Sequence, residues 1–119
     1  MRYALLIYAN EQEWASQSEE QSQAQFQEYM AFTKDIVDRG IQQGGEALQS
    51  TSTATTVRVR DGQTLTTDGP FAETKEQLGG FYVVECKDLD EAIEVAARIP
   101  DVRKGSVEVR PIMEVDMPS

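Results

Sequence analysis

The amino-acid sequence predicts an α+β fold in which an antiparallel sheet carries its helices on one face, and three observations carry that prediction. Two short apolar runs, Arg2 to Ala9 and Phe81 to Cys86, have the length and residue types of strands. Apolar residues recur at three- and four-residue spacing over a long segment after the first run and over a shorter one after the second, which is the helical period. Asp61-Gly62 stands between two β-branched runs and marks a hairpin. At 119 residues the chain is expected to fold as one domain, 1–119, that buries about two thirds of the surface of its unfolded state.

In the first strand Tyr3, Leu5 and Ile7 point to one side and Ala4, Leu6 and Tyr8 to the other. Both sides are apolar, so the strand belongs at the centre of a sheet covered on two faces. Residues 11–18 read as a polar connector, with Ser16 and Ser18 as candidate N-caps and Glu19 and Glu20 suited to the positive end of a helix. From about Glu19 to Gln43, Phe26, Tyr29, Met30, Thr33, Ile36, Val37, Gly40 and Ile41 form the expected buried stripe of one amphipathic helix, with Gly44-Gly45 as its stop. Glu46 to Gln49 reads as short and extended.

Thr55 to Arg60 and Gln63 to Thr67 flank Asp61-Gly62, and a two-residue type I′ turn, which needs positive φ at both central positions, is expected there. Asp68-Gly69-Pro70-Phe71 is a turn by composition; Ala72 to Gln77 suits a single helical turn that Leu78-Gly79-Gly80 breaks. After the Phe81 strand, Asp88 is placed to cap a short helix from Leu89 to Ile99 with Leu89, Ile93, Ala96 and Ala97 as its stripe and Pro100 at its end. Ser106 to Ile112 alternates as a last strand, and Pro111 confines its end to a sheet edge.

That order is βαββαβ, the order of the ferredoxin-like fold, with an extra β-hairpin inserted. The helices of such a fold cover only one sheet face. The two strands that are apolar on both faces therefore need a second cover, and a homodimer packed through the sheet face supplies it. The inserted hairpin is the internal competitor for that role.

Composition narrows the chemistry. With 21 Asp and Glu against 11 Lys and Arg the formal charge is −10, which opposes binding to a phosphate backbone and excludes nucleic acid as a primary partner. There is no His, so the common neutral-pH proton shuttle and every Ser-His or Cys-His nucleophile are excluded, leaving carboxylates, Lys, Tyr, Arg and water. The lone Cys86, at the end of an apolar strand, reads as an inert core thiol. Asp88, Asp90, Glu91 and Glu94 suit a helix first turn and lack the spacing of a calcium loop, so neither metal nor cofactor is expected. No run approaches the roughly 18 apolar residues of a membrane span and no secretory signal is complete, which points to a cytoplasmic protein away from membranes.

The stretch Asp68-Gly69-Pro70-Phe71-Ala72-Glu73-Thr74-Lys75-Glu76-Gln77-Leu78-Gly79-Gly80-Phe81-Tyr82 resembles the DGPF branch of the YciI-like (YCII-related) proteins, small bacterial dimers with a ferredoxin-like fold. The resemblance extends to Met1-Arg2-Tyr3-Ala4-Leu5-Leu6-Ile7-Tyr8, to Thr55, Val57, Arg58, Asp61 and Gly62, and to Gly105-Ser106-Val107-Glu108-Val109-Arg110-Pro111. It implies the fold and the dimer. It also implies a neighbourhood rather than an activity, since most relatives are uncharacterised, a distant one acts in breakdown of chlorinated aromatics, and many DGPF genes lie beside extracytoplasmic-function sigma factors. The classical relatives are thought to use a His and Asp pair, with the His on the first helix. Here that part of the helix is near Glu28, Tyr29 and Met30, so such a dyad is impossible.

Asp68 remains the motif carboxylate. One reading makes it an Asx-type turn or cap that accepts hydrogen bonds from the amides of the Phe71 turn; the other makes it a general base at a cleft mouth, buried beside Phe71 and the Phe81-Tyr82 strand. Glu73 and Lys75 either place a carboxylate and an ammonium in one ligand pocket or form a solvated turn. Tyr29, Tyr82 and Trp14, with Phe71 at the turn, are the aromatic candidates for lining the cleft; core packing is the stronger reading for Tyr29 and Tyr82, and Trp14 either lids a pocket or packs at the dimer seam. Arg58 and Arg60 share one side of the hairpin and serve either as a carboxylate clamp or as a charged guard on a strand edge. The expected function is binding of a small molecule near the Asp68 turn, with Asp68 as acid/base if the protein is an enzyme. The alternative is a non-catalytic regulatory module that binds a partner such as a sigma factor.

Overall fold

A computed structural model describes residues 1–116. The elements are β1 (Arg2–Ala9), α1 (Glu11–Ala15), α2 (Glu19–Asp38), β2 (Gln42–Ala47), β3 (Thr55–Arg60), β4 (Gln63–Asp68), β5 (Gln77–Glu85), α3 (Leu89–Ala96) and β6 (Ser106–Pro111). Single 3-10 turns lie at Thr51–Thr53 and Pro100–Arg103. Four strands form one antiparallel sheet in the order β2-β5-β1-β6, consistent with the ferredoxin-like fold, while β3 and β4 pair only with each other. No helix among the described residues is long and apolar enough to cross a membrane.

The inner sheet face and the helices share one core. Tyr3, Leu5 and Ile7 of β1 and Val84 of β5 pack with Phe32 and Ile36 of α2 and Ala92, Val95 and Ala96 of α3. Phe32 meets the Tyr82 ring edge-on at a centroid distance of 5.1 Å. The other face of β1 behaves as alternation demands: Ala4, Leu6 and Tyr8 are half-buried and stand beside half-buried Phe81 and Val83 of β5. The hairpin does not cover them. Both its strands are exposed almost throughout.

Local chemistry explains several boundaries. Ser18 caps α2 in a complete capping box, accepting from the Gln21 amide at 3.1 Å while the Gln21 side chain accepts from the Ser18 amide at 3.0 Å. Asp61 (φ 52) and Gly62 (φ 75) make the expected hairpin turn, and Asp88 caps α3 through the Glu91 amide at 2.9 Å.

Other expectations are corrected. The connector after β1 contains a one-turn helix, α1, because Asn10 accepts from the amides of Gln12 and Glu13. The long helix stops at Asp38 rather than Gln43, since Gly40 (φ 71) closes a Schellman motif in which Ile41 donates to Ile36 and Gly40 to Val37. Gly44 and Gly45 lie within β2 instead; a Cβ on Gly45 would come within 2.7 Å of the Phe81 carbonyl oxygen. Residues 72–76 are not helical, and β5 begins at Gln77 and runs through Gly79-Gly80, where a Cβ on Gly80 would sit 2.9 Å from the Glu46 carbonyl. One glycine of each pair, Gly45 and Gly80, serves close strand approach, and neither pair ends an element.

The helix faces are also rotated from expectation. Of the α2 stripe, Ile36 is buried, but Phe26, Met30 and Val37 are exposed and Phe32 takes the core position. In α3 the buried residues are Ala92, Val95 and Ala96, while Leu89 and Ile93 face outward.

Candidate functional site

Asp68 is the last residue of β4, paired across the ribbon with Thr55. Its side chain is exposed, and the turn after it is closed by other groups: the Gly69 amide donates to Ala54 at 2.7 Å and the Thr56 hydroxyl to the Gly69 carbonyl at 2.8 Å. The expected bonds from the Phe71 amides to Asp68 are not present. Phe71 is 80% exposed, so it gives Asp68 no apolar shelter within one chain. Glu73 and Lys75 follow on an exposed loop.

That loop nonetheless ends at a defined place, the C-terminal end of β1. Gln77 pairs with Ala9, and its side-chain oxygen accepts from the Glu11 amide at 2.9 Å. Ser106 donates to Glu76 at 3.0 Å. The Glu11 carboxylate accepts from the Thr51 amide at 2.9 Å and the Thr51 hydroxyl at 2.7 Å, tying the approach to the hairpin to the same corner. Four segments distant in sequence are therefore pinned together there.

A cavity of about 40 Å³ adjoins this corner, lined by Asn10, Trp14, Gln17, Gln25, Asp101 and Lys104 among others. One hydrogen-bonded chain forms its wall. The Trp14 indole donates to Gln25 at 2.6 Å, Gln25 donates to one Asp101 oxygen at 3.0 Å, and the Tyr29 hydroxyl donates to the other. Burial, and then the hydrogen bond to Asp101, holds the Tyr29 phenol protonated well above the usual tyrosine range. Gln17 Oε1 is buried without a hydrogen-bond partner among the described residues, so the wall has an acceptor to spare.

The sequence-derived candidates thus divide in two. Asp68, Phe71, Glu73 and Lys75 share the exposed segment leading to the β1 corner. Tyr29 does not line the cavity but bonds to Asp101, which does, whereas Tyr82 faces the core and bonds its hydroxyl to Thr33 at 2.8 Å. Asp101, Gln25 and Lys104 were not singled out by sequence, because a lone acid in a Pro-Asp-Val turn carries no motif and its partner Tyr29 is 72 positions away. Cys86 is buried, and desolvation raises its thiol above the ordinary value, which agrees with an inert core group. Among the described residues no three acids or thiols cluster as a metal site.

Charge adds a pattern. Among the described residues Lys34, Arg39, Arg98, Arg103 and Arg110 are ion-paired, as is Arg2, whose partner Glu114 is held below the usual carboxylate range by that bond. Arg58, Arg60, Lys75, Lys87 and Lys104 make no ion pair among the described residues although acids outnumber bases by 21 to 11. Two of these unpaired cations lie on the hairpin and two beside the Glu76–Ser106 contact.

Comparison with known proteins agrees with the architecture. The YCII-related domain family matches residues 1–116. An uncharacterized protein of Rhizobium meliloti (strain 1021) is 39% identical over 114 residues, covering 94% of this chain and 92% of the relative.

Proposed function

The chain belongs to the YCII-related family, and we propose that it is a cytoplasmic small-molecule-binding protein of the DGPF branch, acting as a single-domain homodimer packed through the outer sheet face. Its ligand occupies a cleft between the Asp68–Phe71 turn and the corner at the end of β1. Asp68 is its acid/base residue if the bound molecule is turned over, with Phe71, Glu73, Lys75 and Tyr29 as the binding set, while Tyr82, packed on Phe32 and bonded to Thr33, belongs to the core. The observation that supports this reading is the convergence at that corner of the loop from Asp68, the Trp14–Asp101 cavity wall and the unpaired Lys75 and Lys104. Two unpaired ammonium groups in an acidic protein favour an anionic ligand.

The test is thermal unfolding against a panel of small aliphatic and aromatic carboxylic acids, with native mass spectrometry of the protein as purified. A saturable rise in Tm with at least one acid is expected for the wild type, and its loss in Asp68→Asn and Lys75→Ala. Equal shifts in all three proteins would remove the Asp68 site.

The alternative, a regulatory module that binds a sigma factor without chemistry of its own, draws support from the absence of any charged group in the core among the described residues, which leaves the acids on the surface. A pull-down that yields no complex with an extracytoplasmic-function sigma factor at low and moderate salt would eliminate it.

A further inference from the structure

Among the described residues the β3–β4 ribbon is held at its root and joins no other strand. An isolated two-stranded hairpin is marginal in water, and this one pairs with no other strand and stays exposed from Val57 to Thr67. It also carries apolar side chains on both sides. Val57 and Val59, opposite Thr66 and Thr64, are 60% and 59% exposed, and Leu65, opposite Arg58, stands on the other side. The molecule is correspondingly spread out. Its radius of gyration is 16.6 Å, with extents of 48 × 47 × 22 Å, where a compact chain of this length has about 13.5 Å.

We propose that this hairpin is an intermolecular arm that docks on a second copy of the chain, at the β2 edge of that copy's outer sheet face beside the sheet-to-sheet contact, so that the cleft beside Asp68 is completed by the partner. The inference rests on the sheet-face homodimer proposed above. Charge selects the occupant. Residues 55–67 hold Arg58 and Arg60 against only Asp61, and neither arginine has an acidic partner among the described residues of its own chain. On that copy's outer face the apolar strip of Leu6, Phe81 and Val83 is flanked on the β6 side by the mutually paired Glu108 and Arg110, and on the β2 side, where the arm docks, by Glu46, which lies opposite Phe81 and has no ion-pair partner among the described residues. A cationic, partly apolar ribbon and an acid-edged apolar face complement each other in both charge and polarity. The root of the arm is Asp68 itself, so seating the arm carries the Asp68–Phe71 turn to the interface, where the exposed Phe71 ring finds cover.

Sedimentation equilibrium of the full chain and amide hydrogen exchange at two concentrations, one tenfold above and one tenfold below the dimer Kd, test the arm. The expected result is concentration-dependent protection of the amides of residues 55–67 and at least a tenfold weaker dimer for Arg58→Glu/Arg60→Glu, a surface change that leaves the fold intact. Leu65→Thr, on the same side of the ribbon as Arg58, is expected to weaken it in the same direction. A dimer that Leu6→Asp abolishes but both hairpin variants leave unchanged, with residues 55–67 unprotected at every concentration, would overturn the arm and leave the sheet-face dimer standing. A monomer throughout would overturn both.

Discussion

The two faces of β1 are built from nearly the same kinds of side chain and end in different surroundings. Tyr3, Leu5 and Ile7 are sealed under α2 and α3, with Leu5 at 0% exposure, while Ala4, Leu6 and Tyr8, one position along, stay half-buried. Periodicity decides which residues share a face, but only the number of layers in the chain decides whether that face is sealed. This chain has helices for one face and none for the other. An apolar face left over by the topology is a statement about association, in the way that an apolar core is a statement about folding.

The largest expected effect separates the two faces directly. Leu5→Ala is predicted to cost about 2 to 5 kcal/mol in chemical denaturation, independent of protein concentration, because it opens a cavity in the sealed layer. Leu6→Ala is predicted to cost less in the separated chain and to lower Tm most at high concentration, where burial against a second copy is lost. Equal and concentration-independent losses for both would show that the outer face takes no part in association.

An intermediate effect concerns how closely the sheet is drawn together. A Cβ on Gly105 would lie 2.1 Å from the Tyr8 carbonyl oxygen, so Gly105→Ala must displace the start of β6 from β1. A loss of about 1 to 3 kcal/mol in urea unfolding is expected. It would fall on both faces at once, since it moves backbone and not a side chain.

The smallest effect sits where the sealed layer meets the cavity. Tyr29 keeps its proton in the folded state above the ordinary value of 10.0, because of burial and its bond to Asp101. Its folded pKa is raised, so its contribution to stability is complete below the unfolded value and declines once the unfolded chain begins to ionise there. Melting curves of the wild type should therefore fall as pH rises above about 10. Tyr29→Phe should flatten that decline, while costing about 1 kcal/mol at neutral pH through the lost hydrogen bond. An unchanged alkaline slope in the variant would assign the decline to other groups.

The sequence made some of this legible and hid the rest for physical reasons. The Asp61-Gly62 hairpin and the Ser18 and Asp88 caps rest on interactions within a few residues, and β1 shows in its unbroken run of apolar residues, so all are readable. The helix stop was misplaced because Gly40, Gly44 and Gly45 look alike in one dimension, whereas only Gly40 lies where the helical carbonyls need a cap. The phase of α2 was misread because Phe26, Met30 and Val37 supply a second apolar stripe beside the one that Phe32 and Ile36 bury. The candidate site was the least legible part. Asp101 acquires meaning only from Gln25 and Tyr29, brought to it by the packing of α2 against the Pro100–Arg103 turn.

The hairpin excursion leaves the sheet and rejoins it almost at the same point. Ala47 pairs with Gly80, and the Leu48 amide donates to the Gly79 carbonyl at 2.9 Å, so the gap is already closed by the β2–β5 ladder. The entropy of closing such a loop grows only slowly with its length. The four-stranded body is therefore indifferent to how many residues lie between the two strands, and the excursion can be lengthened, shortened or exchanged in the course of evolution without renegotiating the fold that carries it.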